Sequence, residues 1–406
     1  MIGSLQTWQW ADSDESAPLR EVIAAEPSVS QLSRLRKEWS PEQIAVITEL
    51  AMARKKARTK FPGNADRLFA HREGVEMASS ARSAAHKAAR FAAALPPGAP
   101  LLDACCGIGG DTIALAQAGL DVTALDLDER RAWMASTNAG CPSITGDIRE
   151  HAPAIAAIHI DPARRTGAKR TRTLDDFEPP FDDIASLAER AEIGAIKLNP
   201  GVHADGLPAG ELEIISERGS LTQGVLWTGE TAKQERRATL LASDGSTHSI
   251  AGSPDRSGDA HPIDAFIHTM DPSLERADLV PAFLAQSGLL QLHPGTGLLT
   301  SPGLSESAWT TSFRVLDERA WSPRTVKAAL RDLDARIVTV KTRAGVVNPD
   351  KLSRQFKGTG HRDLVVFVLP IGDRVRAITT QRADLNNETT PTDAHGSSGG
   401  AWMAAP

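Results

Sequence analysis

The residues best suited to chemistry stand together in LLDACCGIGGDTIALAQAG, residues 101–119. Asp103 closes an apolar run, Gly107, Gly109 and Gly110 follow, and an alanine and leucine run of helical character begins directly after them. After a parallel strand, a glycine turn lets the backbone come within contact distance of a ligand, and the next helix presents unpaired N–H groups there. GIGG is not the GxGxxG of dinucleotide enzymes, and glycines alone also make ordinary turns. The carboxylate narrows the choice. Asp103 would repel a pyrophosphate, whereas it attracts a ligand carrying ammonium and sulfonium groups, such as S-adenosylmethionine.

Two more acids follow at strand ends. Asp126, in VTALDLD, stands about twenty residues past the glycines, where a carboxylate accepts hydrogen bonds from both hydroxyls of a ribose. Asp147, in ITGDIRE, is placed to accept from an adenine amino group, with Ile148 covering the ring. Each acid alone also reads as a solvated loop or helix-cap residue. The three together with the glycine turn form a cofactor site.

These residues need a sheet to carry them. From 99 to about 242, short apolar runs (LLDAC, VTALD, AAIHID, GAIKLNP, LEII, GVLW, ATLLA) alternate with amphipathic segments, the pattern of βαβ units in a mostly parallel sheet. The last three runs lack long helices between them, so the sheet is expected to end in an antiparallel hairpin. Before it, residues 1–95 read as a helical region. Residues 1 to about 17 are polar and expected to fray, Ser40-Pro41 with Gln43 starts one helix, and a second runs from Ser80 to Leu95. The Gly-, Ser-, Asp- and Pro-rich stretch 243–262 reads as a linker closing a domain at 96–262. Residues 263–380 read as an α+β unit with helices opening at Ser322-Pro323 and Asn348-Pro349, and 381–406 as a disordered tail.

Residues 99–242 resemble class I S-adenosylmethionine-dependent methyltransferases. LLDACCGIGG is similar to their first motif, ALDLD to the second, TGD to the third and HIDPARR to the fourth. KFPGNADRLFAHREGVEMASS, and the residues from about 310 to 380, resemble a bacterial group with a THUMP-like domain, THUMP being an RNA-binding module of several RNA-modifying enzymes. The resemblance implies an α/β, Rossmann-like class I sheet flanked by the helical region and the THUMP-like domain. It also implies a cofactor site of Asp103, Cys105, Gly107, Gly109, Asp126, Leu127, Asp147 and Ile148.

In the fourth motif, Asp161-Pro162 holds a carboxylate in an extended backbone beside the methyl donor. In amino-group methyltransferases the similar Asp-Pro-Pro-aromatic motif orients an exocyclic NH2 and stacks on the base, so Asp161 and Pro162 are the expected catalytic pair. Here Ala163 and Arg164 replace the second proline and the aromatic. Phe177, Phe181 and Trp227 are the candidates to stack instead. Arg164, Arg165, Lys169, Arg170 and Arg172 read either as a solvated loop or as a phosphate clamp.

The net charge of -6 excludes a uniformly basic surface. Positive charge is local: five basic residues and no acid in MARKKARTK, and ten basic against four acidic residues from Arg324 to Asp363. Such clustering fits an enzyme acting on a nucleobase of a structured RNA. Rival readings are a nicotinamide oxidoreductase, a methyltransferase acting on a protein or small molecule, and a catalytically silent RNA-binding protein. Cys105, Cys106 and Cys141 make neither a disulfide framework nor a zinc site, and no metal is expected. The amino terminus shows no signal peptide, which reads as cytoplasmic. The G-x-S-x-G match at 396–400 lacks the strand and helix that make its serine reactive.

Overall fold

The computed structural model describes residues 2–26, 28–151, 156–164, 174, 177–343 and 345–383. They form two compact units, Met1–Asp255 with Pro272–Leu279, and Arg256–Asp271 with the chain from Val280 on.

The first unit is built on nine strands: β1 Pro100–Ala104, β2 Asp121–Asp126, β3 Ser143–Thr145, β4 Ala157–Ile160, β5 Ile193–Leu198, β6 Glu211–Glu217, β7 Ser220–Gly229, β8 Arg236–Leu241 and β9 Thr247–Gly252. Across the sheet they lie in the order β3-β2-β1-β4-β5-β7-β6-β8-β9. The first five are mutually parallel, β7 runs antiparallel between β5 and β6, and β8 returns parallel to β6. The order reverses between β1 and β4, and in an open α/β sheet ligands bind in the crevice at such a point. The expected hairpin is β6–β7. Strand β9 lies inside the expected linker: Asp244-Gly245 turns the chain back, with Gly245 at φ +95°, so polar residues pair with β8.

Five helices position the site: α1 Pro41–Ala57, α2 Arg72–Met77, α3 Ala81–Ala94, α4 Gly110–Gln117 and α5 Glu129–Ala139. Both bonds of the capping box between Ser40 and Gln43 start α1, and Ser80 caps α3 by accepting from Ser83 N–H. The expectation that residues 1–17 fray is corrected. Trp8 is fully buried, its indole donates to the Ile2 carbonyl, and it shares one core with α1 and with Ile108 of the glycine turn. Burying an indole of this size is worth several kcal/mol, on the order of 25 cal/mol per Å2, which outweighs the polarity of the segment.

The second unit carries β10 Phe266–Met270, β11 Leu290–Gln291, β12 Leu298–Ser301, β13 Thr310–Ala320, β14 Ala335–Thr342, β15 Arg362–Ile371 and β16 Arg374–Arg382 in the order β11-β12-β10-β13-β16-β15-β14. All neighbours are antiparallel except β14 and β15. Helices α6 Pro323–Asp332 and α7 Pro349–Phe356 pack against β14 through Val326, Leu330, Leu352 and Phe356. Asn348 caps α7 by accepting from Lys351 N–H, while Ser322 makes no such bond for α6.

Candidate active site

A cavity of about 880 Å3 opens at the carboxyl ends of β1, β2 and β4. The turn from β1 into α4 forms its floor. Gly107 and Gly109 sit at φ +58° and +83°, and Cys105 adopts a left-handed φ of +55° despite its side chain. A Cβ on Gly107 would meet open space, whereas one on Gly109 would stand 2.8 Å from the Ala135 backbone of α5. The first glycine leaves room over the turn. The second allows the helix to approach.

Asp126 lies beside that turn, and both its oxygens accept backbone bonds at 2.9 Å, Oδ2 from Gly107 and Oδ1 from Asp128. Burial nevertheless raises its pKa from the ordinary carboxylate value. Leu127 lines the cavity with its side chain largely exposed. Asp147 and the buried Ile148 line it too, Asp147 held ionised chiefly by hydrogen bonds from Arg149, the nearest at 2.6 Å.

Asp103 is not where its sequence position led us to expect. It is 1% exposed and does not line the cavity. Its Oδ2 accepts from Thr112 at 2.5 Å and its Oδ1 pairs with His159 Nδ1 at 2.7 Å. A carboxylate near the buried end of a strand must find partners inside the protein, and these two supply them. His159 Nε2 lies 3.1 Å from Lys87 Nζ, and that ammonium pairs with Asp111 at 2.7 Å. Asp111, in the first turn of α4, does line the cavity. Burial works against its charge, but the Lys87 ammonium beside it holds its pKa far below normal. Asp103, His159, Lys87 and Asp111 thus form one chain from the interior to the cavity wall. Since Nδ1 serves Asp103 and Nε2 accepts from an ammonium, the imidazole is neutral, leaving two carboxylates against one cation.

At the end of β4, Asp161 and Pro162 both line the cavity. Asp161 Oδ2 accepts from Lys197 Nζ at 2.7 Å, and the same ammonium reaches the Met77 carbonyl at 3.3 Å. Burial penalises the Lys197 charge, yet Asp161 and Asp111 raise its pKa overall. Lys60 donates to the carbonyls of Val75, Glu76 and Ala78, so two ammonium groups hold four successive carbonyls of the segment at the end of α2 and just past it. Met77, Ala78 and Ser79 of that segment wall the cavity.

The expected stacking aromatics are corrected by their burial. Phe177 packs on Phe181 with ring centroids 5.8 Å apart, Trp227 is fully buried, and none of the three lines the cavity. Apolar side chains at strand ends are drawn into the core when they can reach it. The backbone of Arg164 pairs with Phe177 in a two-residue ladder. Arg165, Lys169, Arg170 and Arg172 lie outside the described residues, as do residues 384–406 of the tail. No cluster of metal-ligating side chains occurs among the described residues.

The strand order, with its reversed seventh strand, and the glycine turn under an acid-lined cavity define a class I methyltransferase fold. Comparison with known proteins agrees. A crystal structure of a putative methyltransferase from Porphyromonas gingivalis superposes with a TM-score of 0.71 over 95% of this chain and 100% of that one, at 19% identity. An uncharacterised S-adenosylmethionine-dependent methyltransferase from two strains of Mycobacterium tuberculosis is 29% identical over 311 residues, 74% of this chain and 84% of the relative. Residues 310–382, which span β13 to β16, match the THUMP domain-like family. The C-terminal domain is THUMP-like.

Proposed function

We propose that this protein, an S-adenosylmethionine-dependent methyltransferase by fold, site and relatives, methylates a nucleobase of a structured RNA. The observation that carries the cofactor assignment is the acid-lined cavity over Gly107, where a buried chain of charges ends on Asp111 with one negative charge in excess. Such a wall attracts a cationic ligand and repels a diphosphate. When bound, the cofactor supplies an already activated methyl group, so the protein's task is positioning.

Asp126 accepts from the ribose hydroxyls, Leu127 and Ile148 cover the adenine, and Asp147 accepts from its amino group. Asp111, with Asp103 behind it, meets the ammonium. Asp161 orients the acceptor: Lys197 pins Oδ2, and Oδ1 carries no hydrogen bond among the described residues. Pro162 keeps the carboxylate in that orientation. Met77, exposed at the cavity wall, offers the apolar surface that an aromatic side chain would otherwise provide.

The RNA assignment rests on the THUMP-like match and on charge. Of the ten basic residues between Arg324 and Asp363, nine are exposed. Neutralising phosphates with such a surface gives affinity that falls steeply with salt. The test compares modified nucleosides in total RNA from cells with and without the gene by mass spectrometry. Loss of one methylated nucleoside is expected. An unchanged set would remove RNA as the acceptor.

A further inference from the structure

Most cations around the cavity are already paired. Arg130 bonds Asp128 at 2.7 Å and Arg149 bonds Asp147 at 2.6 Å. Arg131, from the first turns of α5, lines the same cavity but makes no hydrogen bond or ion pair among the described residues. A second donor is left over in the lining of the same cavity. His71 lines the cavity, is 4% exposed, and its Nε2 has no hydrogen-bond partner among the described residues.

The protonation of that ring follows from its other nitrogen. Nδ1 accepts the Gly74 N–H at 3.2 Å, so in the neutral imidazole the proton sits on Nε2. Burial, reinforced by the Arg131 guanidinium, lowers the His71 pKa to about 4 and keeps the ring neutral at physiological pH. Nε2–H is therefore a buried donor with nothing to donate to, a costly arrangement unless a ligand completes it. Gly74 preserves access: a Cβ there would stand 2.9 Å from Nε2.

We propose that His71 and Arg131 together form an oxyanion site in the wall of the cavity. Both groups are donors only, and one carries a full positive charge, so the partner must be an oxygen acceptor with negative charge. A carboxylate or a phosphate has that chemistry. The first would be the amino-acid carboxylate of the cofactor, the second a phosphate of the acceptor RNA. The inference rests on the methyltransferase reading above.

The experiment is calorimetric titration of the full chain with S-adenosylhomocysteine and with 5′-methylthioadenosine, which lacks the amino-acid group. Methyl transfer to RNA isolated from cells lacking the gene is measured in parallel. The variants are Arg131→Met, which keeps the aliphatic stem, and His71→Asn, whose side-chain oxygen replaces Nδ1 as acceptor while the distal donor is lost. If the oxyanion is the carboxylate, each variant weakens S-adenosylhomocysteine roughly ten- to a hundredfold and leaves methylthioadenosine unchanged. If it is a phosphate, both nucleosides bind as before and the KM for RNA rises by a similar factor with kcat retained. Equal weakening of both nucleosides, or no change in any of the three measurements, overturns the proposal. A wild-type chain that binds neither nucleoside would instead refute the cofactor assignment beneath it.

Discussion

Helix α3 sends cations into two buried carboxylate clusters, and their charge balance differs. On one side, Lys87 alone faces Asp103 and Asp111, with a neutral His159 between them. On the other, Arg90 and Arg237 face Glu211 and Glu213, with pairs at 2.6–2.9 Å, and Thr239, Trp227 and His86 complete the hydrogen bonds of Glu213. The second cluster is closed: both glutamates are 0% exposed and two carboxylates meet two guanidinium groups. The first ends at a cavity with one negative charge unmatched. Buried ions that balance one another hold structure together, whereas an imbalance exposed at a wall is available to a ligand.

The comparison is broken most easily by neutralising one acid on each side. Glu213→Gln leaves the single buried carboxylate of Glu211 against two guanidinium groups and is expected to cost about 3–5 kcal/mol of stability in urea unfolding. The folded variant should bind S-adenosylhomocysteine normally, and a large affinity loss would show that the closed cluster also serves the ligand. Asp111→Asn takes the ion-pair partner from the buried Lys87 ammonium and so also costs stability, but unlike Glu213→Gln it should weaken the ligand as well, by about 1.5–3 kcal/mol in calorimetry. Unchanged affinity would remove Asp111 from the site. Asp126→Ala is expected to weaken the ligand by a similar or smaller amount, about 1.5–3 kcal/mol, for loss of hydrogen bonds to a charged group. Asp161→Ala, across the cavity, should bind the ligand as the wild type does and lose turnover, so an active variant would end its role as orienting group.

The smallest effect is on pH dependence. Asp111 and Glu213 both have folded pKa values depressed below their unfolded ones, because nearby cations outweigh the burial that opposes their charge. Such groups contribute stability that is present above the unfolded carboxylate pKa and is lost as pH falls below about 4 to 5. Ligand affinity attributable to Asp111 should therefore stay level from pH 8 to pH 5, measured after correction for the ligand's own titration. A midpoint near pH 6 would point to another group, such as an imidazole, at the wall.

Much of this site was legible in the chain. The glycine turn, Asp126, Asp147 and Asp161 stand at the strand ends their spacing indicated, because a period-two apolar pattern followed by a breaker locates a strand end within a residue or two. The Lys87–His159 connection was not. Lys87 lies in SAAHKAAR, where a basic residue on an alanine-rich helix has the same local pattern whether it faces water or a buried acid. His159 reads as one more member of the apolar run AAIHID. Trp8 was concealed by acidic neighbours, and the stacking aromatics misled because sequence shows ring size but not which side of a strand end reaches the core.

Cys105 also bears on the chemistry. Its thiol lines the cavity, and burial, aided by Asp126, Asp161, Asp103 and Asp147, pushes its pKa far above the ordinary thiol value. With the methyl donor bound as proposed, a thiolate there would be the strongest nucleophile beside its electrophilic methyl group, and the enzyme would alkylate itself. Burial and the surrounding carboxylates keep this sulfur protonated, so intact-mass measurement after long incubation with the methyl donor alone should find the chain unmodified.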